Sequence, residues 1–498
     1  MRFQTEITVK KEGAIGEVSP LIYGSFIEHT GRCVYDGVYA PGTPTADERG
    51  FNTALIQECK AMKLPLVRYP GGSFIATWNW EDAIGPKEKR KKVLNLPWKE
   101  MEPSEFGIAE AYEWSKEVGC ELMICLNIAT GTIQDALHLL EYCNFPGGTY
   151  YSDLRREHGY EEPFGIKYFS MGNEPDAWWQ INLETAEEYA RVSAECAKAM
   201  KMQDPNIEII CCSGLMGEDW TRTTLRHGYK YYDHISRHTY LANKQNNFPY
   251  YMAKSHDLEK KIRRLCTLSD EIGEELGIEK KLMISVDEWN VWYHSLEADK
   301  LIPAWEFAPH RLEDIYNMED ALVVGELLLT FLRCCDRVSM GCMAQLVNVI
   351  APFMTDENGT VLKQSIFYPY RDACVYGRGT AIVPEISVPN FCAKEGDDER
   401  KDIPLVDCMV VDNGTQIALF AINFSEQDET DCKVILSEES NLKLVHTAEL
   451  YHPEVKAENS FAEPEKVSET ELEASICGNC VNMVLKAHSW NVLILERA

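Results

Sequence analysis

Tyr168-Phe169-Ser170-Met171-Gly172-Asn173-Glu174-Pro175 and Ile284-Ser285-Val286-Asp287-Glu288-Trp289-Asn290-Val291-Trp292 decide how this chain is read. Each is an apolar run that ends on a glutamate in polar and aromatic company. Runs apolar on both faces are what a buried parallel sheet requires. With these two, the chain offers eight candidate strands, several of them apolar on both faces: Leu21–Phe26, Leu64–Tyr69, Glu121–Leu126, Ile166–Met171, Ile207–Cys212, His234–His238, Leu282–Asp287 and Arg337–Ala344. Helical patterns fill the gaps. Thr132-Ile133-Gln134-Asp135 and Thr185-Ala186-Glu187-Glu188 read as capping boxes. The first predicts a helix with Ile133, Leu137 and Leu140 on one face, the second a helix with Tyr189, Val192, Cys196 and Met200 inward. Leu258, Ile262, Leu265 and Ile272 mark another. Eight β/α units in succession predict an α/β fold, a (β/α)8 TIM barrel.

After about residue 378 short strands replace the helices: Leu405–Val411, Gln416–Phe424, Lys433–Leu436, Leu444–Leu450, Asn482–Leu485 and Trp490–Leu495. Asp412-Asn413-Gly414 between two of them is a hairpin turn. The expected organisation is residues 1–18 as an N-terminal strand (Phe3–Val9) joining a β-sandwich, 19–377 as the barrel, and 378–498 as the C-terminal all-β sandwich. The charge run Glu395–Lys401 reads as a solvated loop.

Composition narrows the function. At 498 residues, 45% hydrophobic and 26% charged, the chain can bury a large core and a smaller one. A net charge of −30 repels nucleic acid and anionic lipid, so neither is an expected partner, and no apolar run approaches a membrane span. The start, Met1-Arg2-Phe3-Gln4-Thr5-Glu6, lacks the apolar stretch of a secretory signal, so a cytoplasmic location is expected. Of eighteen cysteines, Cys125, Cys211, Cys212, Cys334, Cys335 and Cys342 sit in apolar runs as small hydrophobes. Cys477-Gly478-Asn479-Cys480 reads as a turn with two incidental thiols. His234 and His238 fall on a strand and share no helical face, and no H-E-x-x-H, P-loop or G-x-G-x-x-G motif occurs.

The C-terminal ends of barrel strands carry the chemistry of this fold. Here those ends offer Glu28 and His29, Arg68 with Pro70-Gly71-Gly72-Ser73, Asn127, Asn173 and Glu174, His238 and Tyr240, Glu288, and Gln345. Trp78, Trp80, Trp98, Trp178, Trp179, Trp289 and Trp292 lie in or near the same loops. Singly, each has a plainer reading: a cap, an ion-pair partner, a core aromatic. Together at one end of one barrel they describe a polar cleft with aromatic walls, suited to a glycan. Two glutamates facing across it match the paired carboxyls of glycoside hydrolysis.

The sequence resembles glycoside hydrolase family 51, the α-L-arabinofuranosidases, over nearly its whole length. The likeness is densest in Gly24-Ser25-Phe26-Ile27-Glu28-His29, Arg68-Tyr69-Pro70-Gly71-Gly72, Gly172-Asn173-Glu174, Asp287-Glu288-Trp289-Asn290-Val291-Trp292-Tyr293, Leu312-Glu313-Asp314-Ile315-Tyr316 and Ala344-Gln345-Leu346-Val347-Asn348-Val349-Ile350-Ala351-Pro352. The resemblance implies Glu174 as general acid/base and Glu288 as nucleophile of a retaining, exo-acting α-L-arabinofuranosidase. It implies Asn173 at the sugar 2-hydroxyl, and Glu28 and Gln345 as glycone-binding residues. It makes His238 and Tyr240 supports of the catalytic groups, and Arg68 the cation beside the nucleophile. Trp98, Trp178, Trp179, Trp289 and Trp292 are the candidate aromatic subsites. It further implies a hexamer, no metal and no organic cofactor, and an arabinose-containing oligosaccharide as substrate.

Three departures stand out. Ser73 replaces the family's asparagine after Pro-Gly-Gly, a substrate-binding position. Asn127-Ile128-Ala129-Thr130-Gly131-Thr132 lacks the family's arginine. Asn173-Glu174-Pro175-Asp176-Ala177-Trp178-Trp179 differs after the acid/base. They bear on glycone and leaving group, so a hydrolase of another pentofuranoside or a β-xyloside is the alternative, and a non-catalytic carbohydrate-binding protein a further one. Beside a second carboxylate, Glu174 is expected to have a raised pKa and the rate to be bell-shaped in pH.

Overall fold

The structure is a computed structural model that describes residues 2–215, 217–437, 439 and 441–497. Eight parallel strands close into a barrel: β1 (Gly24–Phe26), β2 (Leu66–Tyr69), β3 (Glu121–Cys125), β4 (Tyr168–Met171), β5 (Glu208–Cys211), β6 (His234–Leu241), β7 (Met283–Val291) and β8 (Val338–Ala344). β8 pairs in parallel with β1 and closes the ring. All eight predicted runs carry a barrel strand. Leu21 to Tyr23, expected to open the first, instead lie in a 3-10 turn, Pro20–Tyr23, because Pro20 lacks a ladder N–H and the Ser19 hydroxyl accepts from the Leu21 N–H.

β6 and β7 run further than the sequence suggested, and β7 is bulged. Ser236 pairs with Ser285 but His238 with Glu288, so β7 carries one residue more than β6 there. The same excess recurs against β8, between Val286 and Trp289. A bulge breaks the alternation of side chains. Consecutive Asp287 and Glu288 therefore both meet groups inside the barrel, and Trp289 turns outward.

Helices cover the barrel as the capping boxes predicted. The Thr132 hydroxyl accepts from the Asp135 N–H at the head of Ile133–Asn144, and the Thr185 hydroxyl from the Glu188 N–H at the head of Ala186–Gln203. In the first helix the inner face is Ala136, Leu139, Leu140 and Cys143, with Ile133 and Leu137 only half-buried, so the predicted stripe is rotated. Asp257–Leu276 buries Leu258, Ile262, Leu265 and Ile272 as expected.

The β-rich part consists of two sheets. One has five strands in the order Glu385–Ser387, Arg2–Val9, Glu429–Leu436, Cys480–Leu485 and Ala474–Cys477; the other has seven, including Ala14–Glu17, Val406–Asp412, Gln416–Asn423, Leu442–Leu450 and Ser489–Arg497. Ile7, Val434, Val481, Val410, Leu419 and Leu493 interleave between them. Arg2–Val9 pairs in parallel with Glu429–Leu436. The Asp412-Asn413-Gly414 turn joins paired strands, with Gly414 at φ 87°. The other face of the seven-stranded sheet packs on the barrel through helix Met318–Arg333, which is buried from Met318 to Leu332. The two come so close at Gly325 that a Cβ there would lie 2.7 Å from Trp490.

Two expectations are settled here. The run Glu395–Lys401 is not a loop: it forms most of the tip of a hairpin, Asn390–Glu395 with Asp398–Pro404. Ala393, Phe391 and Ile403 pack on Tyr250 and Ala253, and Asp398 accepts from the Tyr250 hydroxyl at 2.6 Å. Cys477 and Cys480 face each other across a hairpin turn, and no disulfide links cysteines among the described residues. No helix among the described residues is long and apolar enough to cross a membrane.

Candidate active site

A cavity of about 650 Å³ opens at the C-terminal ends of the strands. Arg68, on β2, is wholly buried. Its guanidinium donates to Glu288 Oε1 at 2.7 Å and to Asn173 Oδ1 at 2.8 Å, and stacks 4.6 Å from the Phe26 ring centre. One fork thus fixes the residue before Glu174 and the carboxylate of Glu288. The Tyr240 hydroxyl donates to the other oxygen of Glu288 at 2.9 Å.

Glu174 sits at φ 47°, two residues after Gly172 at φ 87°. A left-handed non-glycine residue costs on the order of 1–3 kcal/mol and persists where its surroundings fix it. Here they do. His238 Nδ1 lies 2.8 Å from Glu174 Oε1, while the Trp179 indole and the Gln180 amide donate to Oε2 at 3.0 and 3.4 Å. The same Gln180 amide donates to the Ser73 hydroxyl at 2.8 Å. His238 Nδ1 is also 3.4 Å from Glu288 Oε2, and its Nε2 is 3.5 Å from Asp287. One oxygen of Glu174 and one of Glu288 lie within 4.8 Å of each other.

Burial works against charge on His238, but Glu288, Asp287 and Glu174 outweigh it and hold the ring up to about 10. Glu174 feels the reverse. Burial would raise its carboxyl, yet the His238 hydrogen bond and charge bring it below the usual range. The expectation that Glu288 alone would hold Glu174 up is therefore corrected, because an imidazolium stands between the two carboxylates.

Glu28, after β1, is held on every side. It accepts from the Phe74 N–H at 2.9 Å, the Trp98 indole at 2.8 Å and the Gln345 amide at 3.1 Å, while its own N–H donates to Gln345. Burial pushes this carboxyl up to about 8 against those donors. Gly72 is required beside it: a Cβ would fall 2.4 Å from Glu28 Oε2.

Of the predicted residues, Glu28, Ser73, Trp98, Asn173, Glu174, Trp179, His238, Tyr240, Glu288, Trp292 and Gln345 line this cavity. Trp289 does not: it is fully buried outside the barrel, its ring 5.0 Å from Phe331, as the bulge dictates. Trp178 is 76% exposed and touches Trp179 edge-on beyond the cavity lining. Asn127 braces its own loop through Thr130, Gly131 and the Trp78 carbonyl. His29 pairs with Glu102. Sequence reasoning missed Gln180 and Leu215, both in loops, and gave Asp287 no role.

Two carboxylates this close, in a cavity at the mouth of a (β/α)8 barrel, define a glycoside hydrolase. Comparison with known proteins gives the family. The α-L-arabinofuranosidase 1 domain matches residues 58–259, and the α-L-arabinofuranosidase C-terminal domain residues 287–489. The chain is 43% identical to intracellular exo-alpha-(1->5)-L-arabinofuranosidase 1 of Bacillus subtilis over 99% of each protein, and 41% identical to the Halalkalibacterium halodurans intracellular exo-alpha-(1->5)-L-arabinofuranosidase over 100% of each. A family 51 α-L-arabinofuranosidase from Bifidobacterium longum superposes with a TM-score of 0.95 at 34% identity, covering 100% of both chains. An arabinose complex of the Thermotoga maritima α-L-arabinofuranosidase gives 0.89 at 28% identity, covering 99% of this chain and 100% of that one. The chain belongs to glycoside hydrolase family 51, the α-L-arabinofuranosidases.

Proposed function

We propose that this enzyme is a retaining, exo-acting α-L-arabinofuranosidase that removes terminal arabinofuranosyl residues from short oligosaccharides, with Glu288 as nucleophile and Glu174 as acid/base. The approach of the two carboxylates to within 4.8 Å carries this reading. Retaining enzymes hold their carboxyls about 5–5.5 Å apart, whereas inverting enzymes leave about 6.5–9.5 Å for a water. Arg68 and Tyr240 each hold one oxygen of Glu288, which fixes the carboxylate for attack on the anomeric carbon. As Glu288 attacks, its charge passes into the ester bond. His238 loses the anion that favoured its proton, and the proton moves through Glu174 to the departing oxygen. Glu174 then deprotonates the water that hydrolyses the glycosyl-enzyme. Glu28, Gln345 and Asn173 hold glycone hydroxyls, and Trp98 and Trp292 wall the ring.

The names of the Bacillus and Halalkalibacterium relatives support an α-(1→5)-linked substrate and a cytoplasmic location. A homo-hexamer is the proposed assembly, and the domain limits proposed are 1–18, 19–377 and 378–498. Ser73, tied to Gln180 rather than reaching across the pocket like asparagine, supports a second reading: a different pentofuranoside or a β-xyloside. A panel of aryl furanosides and pyranosides separates the two. Proton NMR of the first-formed sugar, recorded before mutarotation, tests the mechanism: a retained anomer is expected, and an inverted one removes the covalent role of Glu288.

A further inference from the structure

A second cavity, about 330 Å³, lies on the outer side of the barrel wall. It sits between the loop after β5, the first turn of helix Glu218–Gly228 and helix Asp257–Leu276. Arg237, Lys260, Lys261 and Arg264 line it, against one carboxylate, Glu218. Arg264 is already paired with Glu218 at 2.7 Å and 2.5 Å. The side chains of Arg237, Lys260 and Lys261 form no hydrogen bond or close ion pair among the described residues, although Asp257 acts on Lys261 electrostatically. Arg237 is half-buried, and its Nε is shielded from solvent with no hydrogen-bond partner.

That arrangement runs against the composition. With 79 acidic and 49 basic residues, a carboxylate partner is available almost everywhere on this chain. A sheltered guanidinium without one is unfavourable by itself. Burial lowers the Arg237 pKa, and burial and Arg237 lower that of Lys261 against the opposing charge of Asp257. The adjoining helix, Glu218–Gly228, has Gly217 as its N-cap residue, which supplies no side-chain cap to the first N–H groups. A guanidinium fork, two ammonium groups and a helix N-terminus fit the oxygens of a phosphoryl or carboxylate group. Leu215, Leu265 and Leu268 supply an apolar wall for an organic body.

We propose that this cavity binds a small organic oxyanion, a phosphate ester or a carboxylate, with Arg237 as its principal contact. Two features tie the site to catalysis. Arg237 immediately precedes His238 on β6, and Leu215 lines both this cavity and the catalytic one.

Isothermal titration of the full chain at fixed ionic strength tests this with inorganic phosphate, glucose 6-phosphate and glucuronate, each against sodium chloride. Saturable binding of at least one oxyanion at one site per chain is expected, and the stronger of the two sugar acids identifies the head group. Arg237→Met should weaken it by roughly tenfold or more, and Lys261→Met in the same direction. Should Arg237→Met fail to fold, the double variant Lys260→Met, Lys261→Met decides. No saturable binding of any probe, or unchanged binding in the folded variants, overturns the proposal.

Discussion

Replacing His238 by glutamine tests the electrostatics of the site most directly. The ring stands at about 10 rather than 6.5, which corresponds to roughly 5 kcal/mol in favour of the imidazolium. Because the folded value is raised, this stabilisation is complete below the unfolded imidazole value and is lost as pH rises through about 10. The wild-type enzyme keeps a proton on the Glu174–His238 pair up to that pH, so the alkaline limb of kcat/KM should lie near 10. Glutamine keeps a donor near Glu174 but carries no charge. Glu174 then faces Glu288 without an intervening cation, its carboxyl rises, and it must hold the catalytic proton alone. The alkaline limb should fall by roughly two pH units or more, into the range of raised carboxyls. The assay is initial-rate kcat/KM on a phenyl α-L-arabinofuranoside, whose poor leaving group demands the proton. Activity recovered on return to neutral pH excludes unfolding. A wild-type limb near 6 to 7, or a His238→Gln limb that coincides with wild type, refutes the assigned proton location.

Glu288→Ala should lower turnover by several orders of magnitude, and a mechanism-based trapping reagent should label Glu288 in the parent enzyme. The same variant leaves the Arg68 cation buried beside one partner fewer, so its melting temperature should fall by an amount equivalent to about 3–5 kcal/mol. Glu174→Ala should cripple natural oligosaccharides yet spare activated aryl substrates at glycosylation, with azide restoring turnover; equal loss on every substrate without rescue counts against the acid/base role. Gly72→Ala should displace the Glu28 carboxylate at a cost of ~1–3 kcal/mol and raise KM more than it lowers kcat, whereas unchanged KM removes Glu28 from the glycone site.

The barrel was legible because several of its strands are apolar on both faces and its helices announce themselves with capping boxes such as Thr185 to Glu188. What escaped had no periodic signal. The hairpin at Glu395–Lys401 is mostly exposed on both faces, so no alternation marked it as strand. The bulge at Asp287 and Glu288 adds one residue against both neighbouring strands, and only pairing partners reveal it. Without it, the motif position alone assigns Trp289 to the cleft. Glu174 and Glu288 were readable from strand-end position, but the lowered carboxyl of Glu174 depends on a histidine 64 residues away. Gln180 lies in an aperiodic loop, and its bridge from Ser73 to Glu174 is a fact of three-dimensional contact alone.

The parallel pairing of Arg2–Val9 with Glu429–Leu436 spans 427 residues of chain. On a ribosome working at about 5–20 residues per second, the first strand waits roughly 20–90 s before its partner emerges. Until its other neighbour, Glu385–Ser387, emerges shortly before that partner, both its edges are open, the kind that template association between nascent chains. Arg2, Gln4 and Glu6 occupy one face of it, and only the other carries Thr5, Ile7 and Val9 into the eventual core. That polar face serves the finished enzyme as ordinary surface, but during synthesis it is a gatekeeper that keeps a waiting strand from finding the wrong neighbour.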